Sequence, residues 1–468
     1  MKKSPFFCLL MVLLIIFGMA FPIYAQPNDA VDYSNGCISL QAQKPLAGSE
    51  KLLESAKAVL LYELSSNTMV YSYNPDTHVD PSGMNKIMTA LIALEKVDPQ
   101  AVATVSRKAL DSVPIGSVSA GLKRYEEIKI IDLLYCMMVS SANDAAAVIA
   151  EHVGGDQETF VAMMNQRAME LGCKNTNFSN ATGISVQGQY STARDLAVIT
   201  QAALRNETFA KIFSTVNYTV AKTNKSDARE LVTSNNMMRP ANKDYFDARI
   251  TGGKTGALST VDRSLICTAQ ADGGLYLSVV MQASGTVTED GLAAVTFGSF
   301  EETKKLLDFG YEKYGVFSLL RNDQVVERFH VSGCDSLVSV CASETLRVAL
   351  PNEALLTDVE YRCVPNPELT APIRKGQKVG TVQVWYNGIC IGQSQLNAMH
   401  DSYAPGTNHV ILQPHVKEKL QRNWLSVLLI AGAVLFFLIA AGGVVLLVFR
   451  LRAGHRRSLR FKQKQGSY

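Results

Sequence analysis

An excess of charge of one sign is missing from this chain: 45 Lys and Arg stand against 42 Asp and Glu in 468 residues, a formal net charge of +3. So small an imbalance gives no electrostatic reason to expect a nucleic-acid partner. A metal-ligand spacing is missing too. The nine cysteines are scattered, with Cys37, Cys136, Cys173, Cys267, Cys334, Cys341, Cys363 and Cys390 too far apart to form a ligand set. No metal or organic cofactor is implied. There is no internal repeat and no low-complexity tract, which leaves globular domains with ample chain to bury a core. Long charge-free apolar runs are scarce, and the two that occur are informative.

The first run spans Phe6 to Ile23, after Lys2 and Lys3 and before Tyr24-Ala25, the layout of a secretory signal over residues 1–25. A polar lead-in follows at 26–50. The second run, 425–449, suits a hydrocarbon core of about 30 Å and starts beside Trp424, an interfacial anchor. Arg450, Arg452, Arg456, Arg457, Arg460, Lys462 and Lys464 crowd the far side, against only Lys417, Lys419 and Arg422 on the near side. Positive-inside bias places the 450–468 tail in the cytoplasm and the body outside. Cys8 leaves with the signal. Cys136, Cys173 and Cys267 lie in apolar stretches and read as buried thiols. Outside the cell a Cys334–Cys341 disulfide is permitted, though spacing does not establish it.

Ala58–Glu63 and Met69–Tyr73, separated by Ser65-Ser66-Asn67-Thr68, read as a hairpin. Ile87, Met88, Leu91, Ile92 and Leu94 recur at helical intervals, with Pro81 and Ser82 as a helix start. Further helices are expected at 131–139, 145–153, 160–171 and 193–204, with Gly154-Gly155 as a break. Ser264–Ala271 and Leu275–Gln282 flank Asp272-Gly273-Gly274, a second hairpin, and 302–314 reads as a closing helix. Residues 51–316 thus form one α/β domain. Residues 317–413 form a β-rich domain with strands near 338–340, 345–349, 359–364 and 381–386. A connector at 414–424 leads to the membrane run.

Three short pieces carry the chemistry. Lys86 stands in Gly83-Met84-Asn85-Lys86, Ser141 opens Ser141-Ala142-Asn143, and a third piece reads Lys254-Thr255-Gly256. In order and spacing they resemble the Ser-x-x-Lys, Ser-x-Asn and Lys-Thr-Gly set of penicillin-recognising serine enzymes. The segments 141–146 and 188–196 resemble flanking segments of low-molecular-weight penicillin-binding proteins of the D-alanyl-D-alanine carboxypeptidase type. The segment 372–381 resembles that family's C-terminal β domain. The resemblance implies the β-lactamase-like transpeptidase fold, α/β with a helical subdomain. A small all-β domain and one C-terminal transmembrane helix then follow. It also implies a bacterial cytoplasmic membrane location and peptidoglycan stem peptides as partners.

By that resemblance Lys86 is the general base one turn after the acylated serine, on the same helix face. A buried ammonium beside a second cation, Lys254, has its pKa lowered for that task. Ser141 would relay a proton to the leaving D-Ala nitrogen and Asn143 would hold the peptide amide. Lys254 and Thr255 would bind the terminal carboxylate, Gly256 would let it approach the strand, and backbone N–H groups near Gly83 and Ala257 would form the oxyanion hole. Yet the family's Pro-Ala-Ser-x-Thr-Lys reads Pro81-Ser82-Gly83-Met84-Asn85-Lys86 here. Glycine replaces the nucleophile and Asn85 replaces threonine. Thr251, Gly253, Leu258 and Asp262 also depart from the pattern. Three readings stay open: a shifted-serine enzyme using Ser82, which β-lactams would acylate; a binding module that keeps the D-Ala pocket; and a scaffold whose partners dock on the β domain.

Overall fold

The computed structural model describes residues 39–47, 51–271, 274–289, 294–334 and 336–404. The expected signal (1–25), most of the lead-in, the connector (414–424), the apolar run at 425–449 and the basic tail lie outside the described residues, as does Cys37. Among the described residues no helix is long and apolar enough to cross a membrane.

The chain opens with the hairpin β1 (Ala58–Glu63) and β2 (Thr68–Tyr73), and α1 (Asn85–Lys96) follows after a 3₁₀ turn at Ser82–Met84. The small ladder β3 (Val102–Thr104) and β4 (Glu127–Lys129) brackets α2 (Arg107–Asp111). Next come α3 (Ile130–Val139), α4 (Asn143–Gly154), α5 (Gln157–Glu170), α6 (Ala193–Leu204) and α7 (Glu207–Phe213). A hairpin of β5 (Asn217–Val220) and β6 (Arg229–Val232) precedes β7 (Ile250–Ala257), β8 (Asp262–Ala271) and β9 (Gly274–Ser284). Helix α8 (Gly298–Lys313) closes the first domain.

Strands order as β2-β1-β9-β8-β7 in one antiparallel sheet, which leaves β7 with a free edge. All six residues of β1 are buried because both faces are covered. Ala58, Leu60 and Tyr62 join the core of the helical region with Met88, Leu91 and Ile149. Val59 and Leu61 join Phe300, Leu306 and Leu307 of α8 on the opposite face. A two-residue side-chain period between two apolar layers produces this sharing.

Helix α1 runs through the middle of the helical layer, buried at every position from Asn85 to Ala93. The 3₁₀ turn leading into it begins at Ser82, where the sequence places the helix start at Pro81 and Ser82. Ser82 lies within the 3₁₀ turn, makes no side-chain cap, and gives its own N–H to Asp80 Oδ1 at 2.8 Å. Helix α6 does follow cap logic, since the Thr192 hydroxyl accepts from Asp195 N. Gly155, at φ 80°, ends α4 in the left-handed conformation that glycine tolerates best.

Helix α8 passes at Lys313 straight into β10 (Tyr314–Leu320), so Tyr314 is strand rather than helix. Then come β11 (Glu327–Phe329), β12 (Val338–Ala342), β13 (Leu346–Pro351), β14 (Val359–Pro365), β15 (Lys378–Tyr386) and β16 (Ile389–Ala398). They form a five-stranded sheet, β11-β12-β16-β15-β14, and a β10-β13 pair around one core. Strand β16 was not anticipated, although Asn387 (φ 48°) and Gly388 (φ 75°) supply the Asn-Gly hairpin turn that leads into it. Cys334 and Cys341 are both free thiols, so the permitted disulfide does not form. Cys136, Cys173 and Cys267 are buried, as expected.

Candidate active site

The three motifs meet where the start of α1, the α3–α4 junction and the edge strand β7 converge. Ser141 lies in the short link between helices with φ 63°, a conformation that costs a non-glycine residue free energy and recurs at functional sites. Lys86 Nζ donates to Asn143 Oδ1 at 2.7 Å and also to the carbonyl of Thr182. Lys254 Nζ donates to Ser141 Oγ at 2.9 Å and to the Thr255 carbonyl at 2.8 Å. Thr255 Oγ1 is 2.6 Å from Ser234 Oγ, whose loop is tied to α3 by Ser234 N donating to Val139 O. A cleft of about 170 Å³ opens beside Ser141, Ser234 and Thr255, lined also by Gly256, Ala257, Arg263, Phe297 and Phe300, among others.

Both lysines are buried, at 2% and 1% exposure for Lys86 and Lys254, and among the described residues neither has an ion-pair partner. Burial holds Lys86 well below the usual lysine range, Lys254 adds to the fall, and Asp144 opposes it. Burial alone brings Lys254 down to about 7. Asp144 sits further back, accepting from Ser119 Oγ and from the backbone of Ala120 and Leu122. It therefore anchors the loop ahead of the cleft.

Ser82 goes elsewhere. At φ 45° it turns its hydroxyl against β7, where that oxygen is buried and has no hydrogen-bond partner. A Cβ on Gly256 would fall 2.3 Å from Ser82 Oγ, so only glycine permits this approach. Ser82 makes no hydrogen bond to Lys86, and like Gly83, Lys86, Asn143 and Lys254 it is not among the residues lining the cleft. Ser82 precedes the α-helix in a 3₁₀ turn and at a positive φ, so its side chain does not follow the helix face that carries Lys86. A Cβ on Gly83, by contrast, would lie 3.6 Å from Ser141 Oγ.

The other departures have local explanations. Asn85 Nδ2 donates to Gln189 Oε1 at 2.8 Å and to Asn180 O at 3.2 Å, locking α1 to the segment before α6. The space of an aliphatic side chain at Gly253 is taken by Asn235, whose Nδ2 would be 2.5 Å from an added Cβ. Asp262 accepts from Ser284 Oγ and shapes the β7–β8 turn. Ser234, Arg263, Phe297 and Phe300 were missed from sequence. They belong to no motif, and only tertiary packing brings them to the cleft.

Residues 46–285 match the D-alanyl-D-alanine carboxypeptidase family, and residues 314–403 match the penicillin-binding protein 5 C-terminal domain. The D-alanyl-D-alanine carboxypeptidase DacF of Bacillus subtilis is 28% identical over 362 residues, which covers 76% of this chain and 88% of that protein. DacC of Escherichia coli is 29% identical over 357 residues, covering 74% and 84% respectively. The crystal structure of penicillin binding protein 5 from Haemophilus influenzae superposes with a TM-score of 0.61 at 27% identity, covering 76% of this chain and all of that one. The chain belongs to the D-alanyl-D-alanine carboxypeptidase family of low-molecular-weight penicillin-binding proteins.

Proposed function

We propose that this protein binds the D-Ala-D-Ala end of peptidoglycan stem peptides without forming an acyl-enzyme. One observation carries the reading: Gly83 offers no nucleophile and the neighbouring Ser82 hydroxyl is shut against Gly256, while Ser141, Ser234 and Thr255 still face the cleft. Lys254 and Thr255 hold the terminal carboxylate, because a charge-assisted contact needs no nucleophile. Asn143, held through its Oδ1 by Lys86, presents its amide NH₂ to a peptide carbonyl. Gly256 and Ala257 form the strand edge along which the peptide lies. β-Lactams, as mimics of the same terminus, bind reversibly at most.

The shifted-serine alternative requires Ser82 to leave β7, and a misplacement of 1 Å already costs about a hundredfold in rate. The reading also places the body outside the cytoplasmic membrane, with the 425–449 run as a single span, supported by the flanking charges in the sequence. Fluorescent penicillin tests it. Absence of covalent label, together with saturable calorimetric binding of an N-acylated D-Ala-D-Ala peptide, is the expected result. Stoichiometric labelling of the wild type overturns it.

A further inference from the structure

We propose that Arg263, which belongs to none of the three motifs, selects ligands that carry a free terminal carboxylate next to a small apolar side chain. The inference rests on the stem-peptide reading and adds the residue that sets its specificity.

Arg263 stands on β8 directly opposite Ala257, the first residue beyond Lys254-Thr255-Gly256 on β7. Its side chain reaches the cleft that Thr255, Ser234 and Ser141 also line. The guanidinium carbon lies 4.6 Å from the Phe297 ring centroid, so an aromatic face fixes its plane. Nε donates to the Thr260 carbonyl at 3.3 Å. Among the described residues the guanidinium has no ion-pair partner, whereas Arg194, Arg229 and Arg249 each meet a carboxylate. Among the described residues its two terminal nitrogens meet no acceptor, which suits them to donate to a ligand.

The chemistry fits an oxyanion, and at the end of a peptide that oxyanion is a carboxylate. Arginine offers parallel donors in a planar fork that matches two carboxylate oxygens, and it stays charged at every pH of interest. Burial takes hydration from this guanidinium and holds it below its ordinary value, which adds to the gain from an anionic partner. Lys254 cannot provide that fork. Two of its three N–H groups already go to Ser141 Oγ and the Thr255 carbonyl, so it can add a single contact to a carboxylate but no parallel pair. Phe297 and Phe300 add an apolar wall beside the cation, suited to a methyl side chain and not to a second charge. An acid terminus with a small apolar residue meets both surfaces at once, whereas an amidated terminus forfeits the fork.

Titration calorimetry on the full-length chain in detergent tests this, with an N-acylated D-Ala-D-Ala peptide and its C-terminal amide as ligands. Wild type should prefer the acid by roughly tenfold to a hundredfold, the range for a charge-assisted contact. Arg263→Gln should keep only the smaller acid preference that Lys254 and Thr255 supply, while binding the amide as the wild type does. Arg263→Lys should restore part of the preference and guards against misfolding of the glutamine variant. Retention of the full preference in Arg263→Gln overturns the role of Arg263 while leaving the stem-peptide reading intact. Equal loss of acid and amide binding in a folded Arg263→Gln overturns it in favour of a structural role. If the wild type binds neither ligand, both proposals fall.

Discussion

Adding one hydroxyl at position 83 tests whether the rest of the catalytic apparatus is intact. A Cβ on Gly83 would stand 3.0 Å from the Thr255 carbonyl, 3.5 Å from Gly256 Cα and 3.6 Å from Ser141 Oγ. The last two are ordinary contacts, and the first asks β7 to retreat by a few tenths of an ångström. Gly83 has no left-handed φ, so its backbone accepts an L side chain. Crowding of this kind costs about 1 kcal/mol, and losing glycine's freedom in the unfolded chain returns about 0.4–1 kcal/mol. Gly83→Ser should therefore melt within a few degrees of wild type. The new Oγ would emerge beside Ser141 and one turn before Lys86, whose lowered pKa favours the neutral amine that a general base requires. Deleting the nucleophile of a serine hydrolase costs on the order of 10⁶ in turnover, so the variant should gain penicillin acylation by several orders of magnitude. Intact-protein mass and peptide mapping after penicillin treatment read the adduct. A folded Gly83→Ser without adduct refutes the idea that the missing serine is the main block and shifts the cause to Asn85 or Ser82. An adduct on the wild type that vanishes in Ser82→Ala refutes the inactive-site reading itself.

Lys254→Ala should weaken binding of the D-Ala-D-Ala peptide, and identical titration curves for variant and wild type would contradict the carboxylate role. The folded value of Lys254, about 7, lies below the 10.5 of an ordinary lysine, so the unfolded chain binds more protons between those limits. Unfolding free energy should then rise with pH across that window, by at most about 1.4 kcal/mol per pH unit from this group. Lys254→Met should flatten the rise in urea titrations, and an unchanged slope would count against a buried, easily deprotonated amine. Asn85→Ala strands the Gln189 side-chain oxygen that Asn85 Nδ2 serves, and should cost about 1–3 kcal/mol in chemical denaturation. An unaltered midpoint would show those bonds to be energetically idle. Protease added to intact spheroplasts should digest the body and spare a tag on the basic tail. Survival of the body would reject the orientation inferred from the charges after Phe449.

Ala58–Glu63 and Ala193–Leu204 were legible in the sequence because each has a local signature: a short apolar run beside a turn, and a helical period behind Thr192. The three motifs were equally legible as spacings, and the structure brings Lys86, Ser141, Asn143, Lys254 and Thr255 together. What sequence could not yield is direction. Whether Ser82 faces Lys86 or β7 depends on its φ of 45° and on the missing side chain of Gly256, a contact 174 positions away in the chain. Arg263 and Ser234 reach the cleft through strand register and loop packing, which leave no periodic trace. Strand β16 was overlooked for a different reason. Its run of Gly392, Gln393, Ser394 and Gln395 looks polar, and it is held by pairing with β15 and by burying Leu396 and Ala398.

Lys86 ties α1 to the head of α4, through Asn143, and to the Thr182 segment that leads toward α6. In a working hydrolase that amine is a proton carrier. The same atoms also act as a brace among three stretches of chain, a duty independent of any turnover. Replacing Lys86 by a shorter residue would leave the Asn143 and Thr182 oxygens facing an empty, desolvated space. A lineage that has given up turnover would therefore still be held to this lysine by the architecture, so its presence alone is poor testimony that the site cuts peptide.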